Sequence, residues 1–181
     1  MKKIKSTCLF VVLASILLSF TSSEEWKIFE TKQYEVLFPG KPTSQVKSVK
    51  TEIGEISMDI HMFDASKTGN DDNLVYGFIT SDYPSDLVDH SNKELISNLF
   101  RSSIDGAVNN VKGTLLSETD IEINGHPGRA FKVDFNKGFA IINMRMYLVK
   151  NTMVMLQTIT LTEKQANTSI DKFMNSFKLK K

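Results

Sequence analysis

The chain has 181 residues, with 22 Lys and Arg against 21 Asp and Glu, and 41% of its residues are hydrophobic. This near-neutral balance lacks the basic excess that neutralising phosphates demands, so nucleic-acid binding is excluded as its main task. The only cysteine, Cys8, stands near the start, so the body of the chain has neither a disulfide, thiol chemistry nor a thiolate metal site.

Met1-Lys2-Lys3-Ile4-Lys5 is a basic stretch, followed by an apolar run from Cys8 to Leu18 broken only by Ser15. Ser19, Thr21 and Ser23 supply the small residues of a cleavage site, which predicts a secretory signal peptide over 1–23, cut after Thr21 or Ser23. The run is shorter than the ~20 apolar residues of a membrane-spanning helix. Cys8 opens the run rather than closing it, unlike a lipidated cysteine. The expectation is export to the periplasm or the extracellular space, with no transmembrane segment in the mature chain. Cleavage after Ser23 leaves 158 residues at 24–181, enough for one domain with its own core, and removes Lys2, Lys3 and Lys5, leaving 19 basic against 21 acidic residues.

Trp26 to Phe29 reads as a lead-in and Tyr34 to Phe38 as a first strand with Tyr34, Val36 and Phe38 on one face, ended by Pro39-Gly40-Lys41-Pro42. Residues 43–50 alternate weakly, which predicts an exposed strand whose lysines discourage edge pairing. Ile56, Met58, Ile60 and Met62 then alternate with Ser57, Asp59 and His61, a half-buried strand. Asp64 to Asn73 is a loop and Leu74 to Ile79 a strand covered on both faces. Ser91-Asn92-Lys93-Glu94 has the spacing of a capping box, opening a helix to about Val108 with its stripe at Leu95, Leu99, Phe100, Ser103 and Ile104.

Val111 to Ile121 is another strand, with a bulge expected at Leu115-Leu116. Three strands in a meander follow, from the turn Asn124-Gly125-His126-Pro127-Gly128 through Arg129 to Phe135, a turn at Asn136-Lys137-Gly138, Phe139 to Val149, and Met153 to Leu161. Thr162-Glu163-Lys164-Gln165 predicts a second capping box and a terminal helix over 162–177, with Ile170, Phe173, Met174 and Phe177 as its apolar face. The whole predicts an α+β domain: a mainly antiparallel sheet of six to seven strands with helices on its faces. A β-sandwich would require residues 91–108 not to be helical.

Few side chains announce chemistry. His61, His90 and His126 are scattered, and Asp64, Asn70, Asp71 and Asp72 lack the alternation of an EF-hand, although weak calcium binding at the 64–73 loop stays open. Ser81 with Asp82, or Ser91 with His90, forms no nucleophile elbow, and no glycine-rich loop supplies an oxyanion hole. No cofactor, metal site or catalytic residue is expected, and the methionines follow strand periodicity, as core residues do. The binding candidates are Arg129, Arg145 and Tyr147. Arg145 and Tyr147 lie opposite Met144, Met146 and Leu148. Left open to solvent, they would meet a carboxylate or a protein partner; under a helix, they would be structural.

Two stretches resemble the PsbP-like superfamily and related uncharacterised exported domains: Trp26 with Tyr34-Glu35-Val36-Leu37-Phe38-Pro39-Gly40-Lys41-Pro42, and Asn124-Gly125-His126-Pro127-Gly128-Arg129 with the strands ending in Arg145-x-Tyr147. The resemblance spans residues 26–178 in element order and implies an α/β/α sandwich in an exported bacterial branch. That superfamily includes an extrinsic subunit of the oxygen-evolving complex and a small-GTPase-binding nuclear transport factor, so it implies noncatalytic binding or assembly. The resulting expectation is a noncatalytic exported protein acting through protein contacts at the cell envelope. The alternative is a carrier or sensor of a small apolar or amphipathic ligand in a cleft between sheet and helix.

Overall fold

The computed structural model describes residues 26–51, 54–85 and 88–180, so the expected signal peptide lies outside the described residues. Five strands come first: β1 (Lys27–Glu30), β2 (Tyr34–Phe38), β3 (Thr43–Thr51), β4 (Gly54–Asp64) and β5 (Asn73–Asp82). Helix α1 (Lys93–Asn110) follows, then β6 (Thr114–Ile123), β7 (His126–Phe135), β8 (Ala140–Val149) and β9 (Thr152–Leu161), and last helix α2 (Thr168–Asn175) and β10 (Lys178–Leu179). Strands β3 to β9 form one antiparallel sheet in the order β3-β4-β5-β9-β8-β7-β6. The expected sheet of six to seven strands is there, with the meander β7-β8-β9 inside it. A second sheet, β1-β2-β10, was not expected, because a two-residue strand carries no readable period.

Alternation along each strand sends apolar groups into two cores. On one face Ile96, Phe100 and Ile104 of α1 pack with Phe131, Val133, Met144, Met146 and Leu148. On the other, Ile170, Phe173 and Met174 of α2 and Tyr34, Val36 and Phe38 of β2 pack with Tyr76, Phe78, Tyr147 and Leu156. The second core is largely aromatic: Phe173 meets Phe38 and Tyr76 edge-on, each with ring centroids 5.2 Å apart. Each such pair adds roughly 0.5–1.5 kcal/mol beyond the area it buries.

Local chemistry departs from the sequence reading at four places. Helix α1 is capped by Asn92, whose Oδ1 accepts from the Leu95 N–H at 3.0 Å, while Ser91 turns back to Asp89. Its buried stripe runs Ile96, Phe100 and Ile104, with Leu95 and Leu99 at its margin. Residues 162–164 make a 3-10 turn, and α2 starts six residues later than expected, where Asn167 Oδ1 accepts from the Ile170 N–H at 3.1 Å. A true cap competes with a capping-box lookalike, and the buried stripe decides between them.

The other two departures concern turns. Asn124 and Gly125, with φ of 49° and 80°, make the hairpin turn by themselves, and His126 to Gly128 already belong to β7. Gly128 therefore serves close approach rather than a turn: a Cβ there would lie 2.5 Å from the Met146 carbonyl and 2.7 Å from the Tyr147 ring. In the next hairpin Phe135 pairs with Ala140, so the connection holds four residues, and Phe139 stands 52% exposed outside the strand. The expected bulge is present, between Leu115 and Ser117.

Candidate functional site

The three sequence candidates do not form one site. Tyr147 is buried, with its ring stacked on Phe177 at 5.7 Å, and so serves the core. Arg145 lies on the same face, half-buried, and donates from Nη1 to the Met174 carbonyl (3.2 Å) and Asn175 Oδ1 (2.8 Å). These are the last residues of α2, where free carbonyls carry the negative end of the helix dipole. Arg129 sits on the opposite face, opposite Met146 in register, with its guanidinium 4.9 Å from the Phe100 ring centroid. It pairs with Asp120 at 3.1 Å and Glu118 at 3.5 Å, and Glu118 also binds Arg101 from α1. Arg129 thus fastens α1 to the edge strand β6 and is a structural residue.

Beside Arg145, α2 leaves part of the sheet uncovered. A cleft of about 750 Å³ opens between the polar rows of β6, β7 and β8 and the segment 165–174. Its floor carries Ser117, Lys132, Asn143 and Arg145, and Asp171 lies along its wall. Register explains the grouping: Ser117 pairs with Lys132, Lys132 with Asn143, and Ala130 with Arg145, so alternation brings all of them to the α2 face. Among the described residues no carboxylate pairs with Lys132 or Arg145, and no cation pairs with Asp171. Asn143 is 8% exposed, yet its amide makes a single long bond, donating to Thr158 Oγ1 at 3.5 Å. A buried amide normally has closer partners. The sequence reading missed Lys132, Asn143 and Asp171; Asn143, a polar residue inside the apolar run Ala140–Val149, was the available signal.

With this geometry in view, comparison with solved structures places the architecture. Cyanobacterial PsbP (CyanoP) from Synechocystis sp. PCC 6803 matches with a TM-score of 0.57 at 11% identity, over 87% of this chain and 94% of that one. The fold is PsbP-like. A protein of unknown function from Pseudomonas aeruginosa, described as a putative regulator, matches with a TM-score of 0.33 at 10% identity, over 77% of this chain and 85% of that one. No family model and no curated protein sequence matches.

Elsewhere on the PsbP-like fold the other candidates have separate partners. Asp64 accepts from the Ser66 N–H and pairs with Lys67, Asp72 pairs with Lys164 at 3.1 Å, and Asp71 accepts from the Tyr76 hydroxyl. Among the described residues no group of three or more His, Cys, Asp or Glu converges as metal ligands. The hydrogen bonds of the notional serine pairs also run elsewhere: Asp82 accepts from Thr152, and His90 Nε2 meets the Lys150 carbonyl at 2.7 Å. Met144, Met146, Met153 and Met174 are buried in the cores. No helix among the described residues is long and apolar enough to cross a membrane.

His61 joins the two sheets. Its ring packs against Phe29 of β1 at 4.5 Å and Phe78 of β5 at 6.0 Å, and its Nδ1 lies 2.7 Å from Ser44 Oγ. Burial lowers its pKa below the ordinary histidine range, partly opposed by Asp59. The folded state therefore binds this proton less readily than the unfolded chain. The contribution is fully present above the unfolded value of about 6.5, and is lost as pH falls through the lower folded value. Thermal unfolding followed against pH should show an acid limb that becomes shallower in His61→Gln; an unchanged limb would rule His61 out as its source.

Proposed function

We propose that this chain is a noncatalytic exported binding protein, an α/β/α sandwich of PsbP-like fold, and that it binds through the cleft between α2 and the sheet. The observation that carries this reading is a concavity of about 750 Å³ whose floor holds the cations Lys132 and Arg145, paired with no described carboxylate, and the under-bonded amide of Asn143. Ligand sites of this size typically set a few convergent polar groups in a pre-formed hollow. Arg145 is already held by the end of α2, so little of its freedom remains to be lost on binding. The cleft sets the charged groups Lys132, Arg145 and Asp171 among apolar side chains such as Ile170 and Met174, which suits a small solute bearing a charged group better than a wholly apolar one.

Assembly through protein contacts at the envelope is the second reading. It is favoured by the free edges of the large sheet, where Val46 of β3 and Leu116 of β6 are 70% and 53% exposed. Native mass spectrometry of the protein purified from its own envelope fraction separates the two. Ligand binding predicts a bound small-molecule mass that disappears in Lys132→Glu, an exposed position where folding should survive. A protein partner recovered equally well with wild type and variant, with no bound mass, would overturn the cleft reading in favour of assembly. Turnover of a generic ester or phosphate substrate would overturn both.

A further inference from the structure

The geometry points to a ligand carrying both a carboxylate and an ammonium group, of amino-acid or short-peptide kind, held in the cleft beside α2. This inference rests on the cleft being the binding site and goes on to name what it takes. Three charged side chains line the cleft: Lys132 and Arg145 on the floor, and Asp171 in the first turn of α2. None is neutralised by another described residue, so the cleft offers a cationic region and a separate anionic one. A simple anion would satisfy the floor but face Asp171. A zwitterion satisfies both.

The donors on the floor suit a carboxylate. Arg145 presents a planar guanidinium, which binds carboxylates through parallel N–H bonds, and Asn143 adds an amide N–H within an otherwise buried side chain. Ser117, which pairs with Lys132 in the neighbouring strand, adds a hydroxyl to the same row. Of the backbone N–H groups, which phosphate sites recruit in rows, those of β7 and β8 are committed to the sheet and that of Ile170 at the start of α2 to Asn167 Oδ1. Arg145 is also oriented before any ligand arrives, by its two bonds to the end of α2.

The test is a titration of the 15N-labelled protein with the dipeptide Ala-Ala, its C-terminal amide, its N-acetyl form and inorganic phosphate, followed by NMR. Ala-Ala should move the side-chain signals of Asn143 and Arg145. Amidation of its carboxylate, or the change Lys132→Gln, should weaken binding roughly tenfold, the order expected for one lost charge-assisted hydrogen bond. N-acetylation should weaken binding to wild type but leave Asp171→Asn indifferent. Equal binding of the amide, tighter binding of phosphate, or the absence of any shift in the cleft would each overturn the inference. If Ala-Ala fails while a copurified molecule without a carboxylate occupies the cleft, the class is wrong and the cleft still binds. An empty cleft with every probe and no copurified mass removes both.

Discussion

Phe173→Ala is expected to lower stability by about 3–5 kcal/mol, the range for truncating a buried aromatic. Phe173 is fully buried and is the place where three layers meet: its ring lies edge-on to Phe38 of the small sheet and to Tyr76 of the large one, while its backbone belongs to α2. An eight-residue helix is too short to persist on propensity alone, so α2 depends on this docking. Truncation removes the contact that holds α2 over the sheet, and with it the wall of the cleft. Trp26, the only tryptophan, reports on this corner, because it packs edge-on to Tyr76 at 5.5 Å and beneath the Lys172 ammonium at 4.5 Å. Denaturant unfolding followed by Trp26 fluorescence should give an earlier midpoint and a changed native baseline. A loss below about 1 kcal/mol would mean that this ring is not the anchor of α2.

The strands were legible because their chemistry is local. Alternation at Tyr34, Val36 and Phe38 and at Met144, Met146 and Leu148 named the buried faces, and the adjacent leucines at 115 and 116 marked the bulge. What could not be read was which strands share a face across a hairpin, since that depends on the length of the turn to a single residue. A three-residue turn at Asn136-Lys137-Gly138 sets Phe135 opposite Phe139 and so puts Arg129 beside Arg145. The actual pairing of Phe135 with Ala140 shifts the register by one and sends Arg129 to the face of Met146. One residue of turn thus dissolved the expected cluster and brought Lys132 to the face of Asn143 and Arg145 instead. The same logic explains α2: Thr162 and Gln165 have the spacing of a box, but the side chain that accepts a helix N–H is Asn167, and its competition with Thr162 is settled by the packing of Ile170 and Phe173.

Asn73→Ala should cost about 2–4 kcal/mol, because it opens a buried polar network rather than a cavity. Asn73 has no exposed surface, and its Nδ2 group donates to the Tyr76 hydroxyl at 2.6 Å and to Asn167 Oδ1 at 3.1 Å. Its Oδ1 accepts from Thr160 Oγ1 and from Asn167 Nδ2. Tyr76 in turn donates to Asp71, and burial together with that carboxylate pushes its pKa well above the usual phenol range. Asn73 therefore connects the 64–73 loop, strand β9 and the cap of α2, and its loss takes from Thr160 Oγ1 its acceptor and leaves Asn167 held only by Lys164 and Ile170. A double-mutant cycle with Thr160→Val, read by denaturant unfolding, should show coupling of about 0.5–3 kcal/mol. Additive losses would mean that the two groups do not act together. Asn73→Asp sharpens the test by setting a second carboxylate against Asp71, whose Oδ1 lies 3.2 Å from Nδ2 in the native protein. Two carboxylates this close share a proton, so the folded state of that variant holds it more tightly than the unfolded chain does. Its stability should fall as pH rises from about 4 to 7, opposite in sign to the contribution of His61. A variant as stable at neutral pH as at acid pH would show that Asp71 and residue 73 are not held together, and that α2 is fastened by its aromatic face alone.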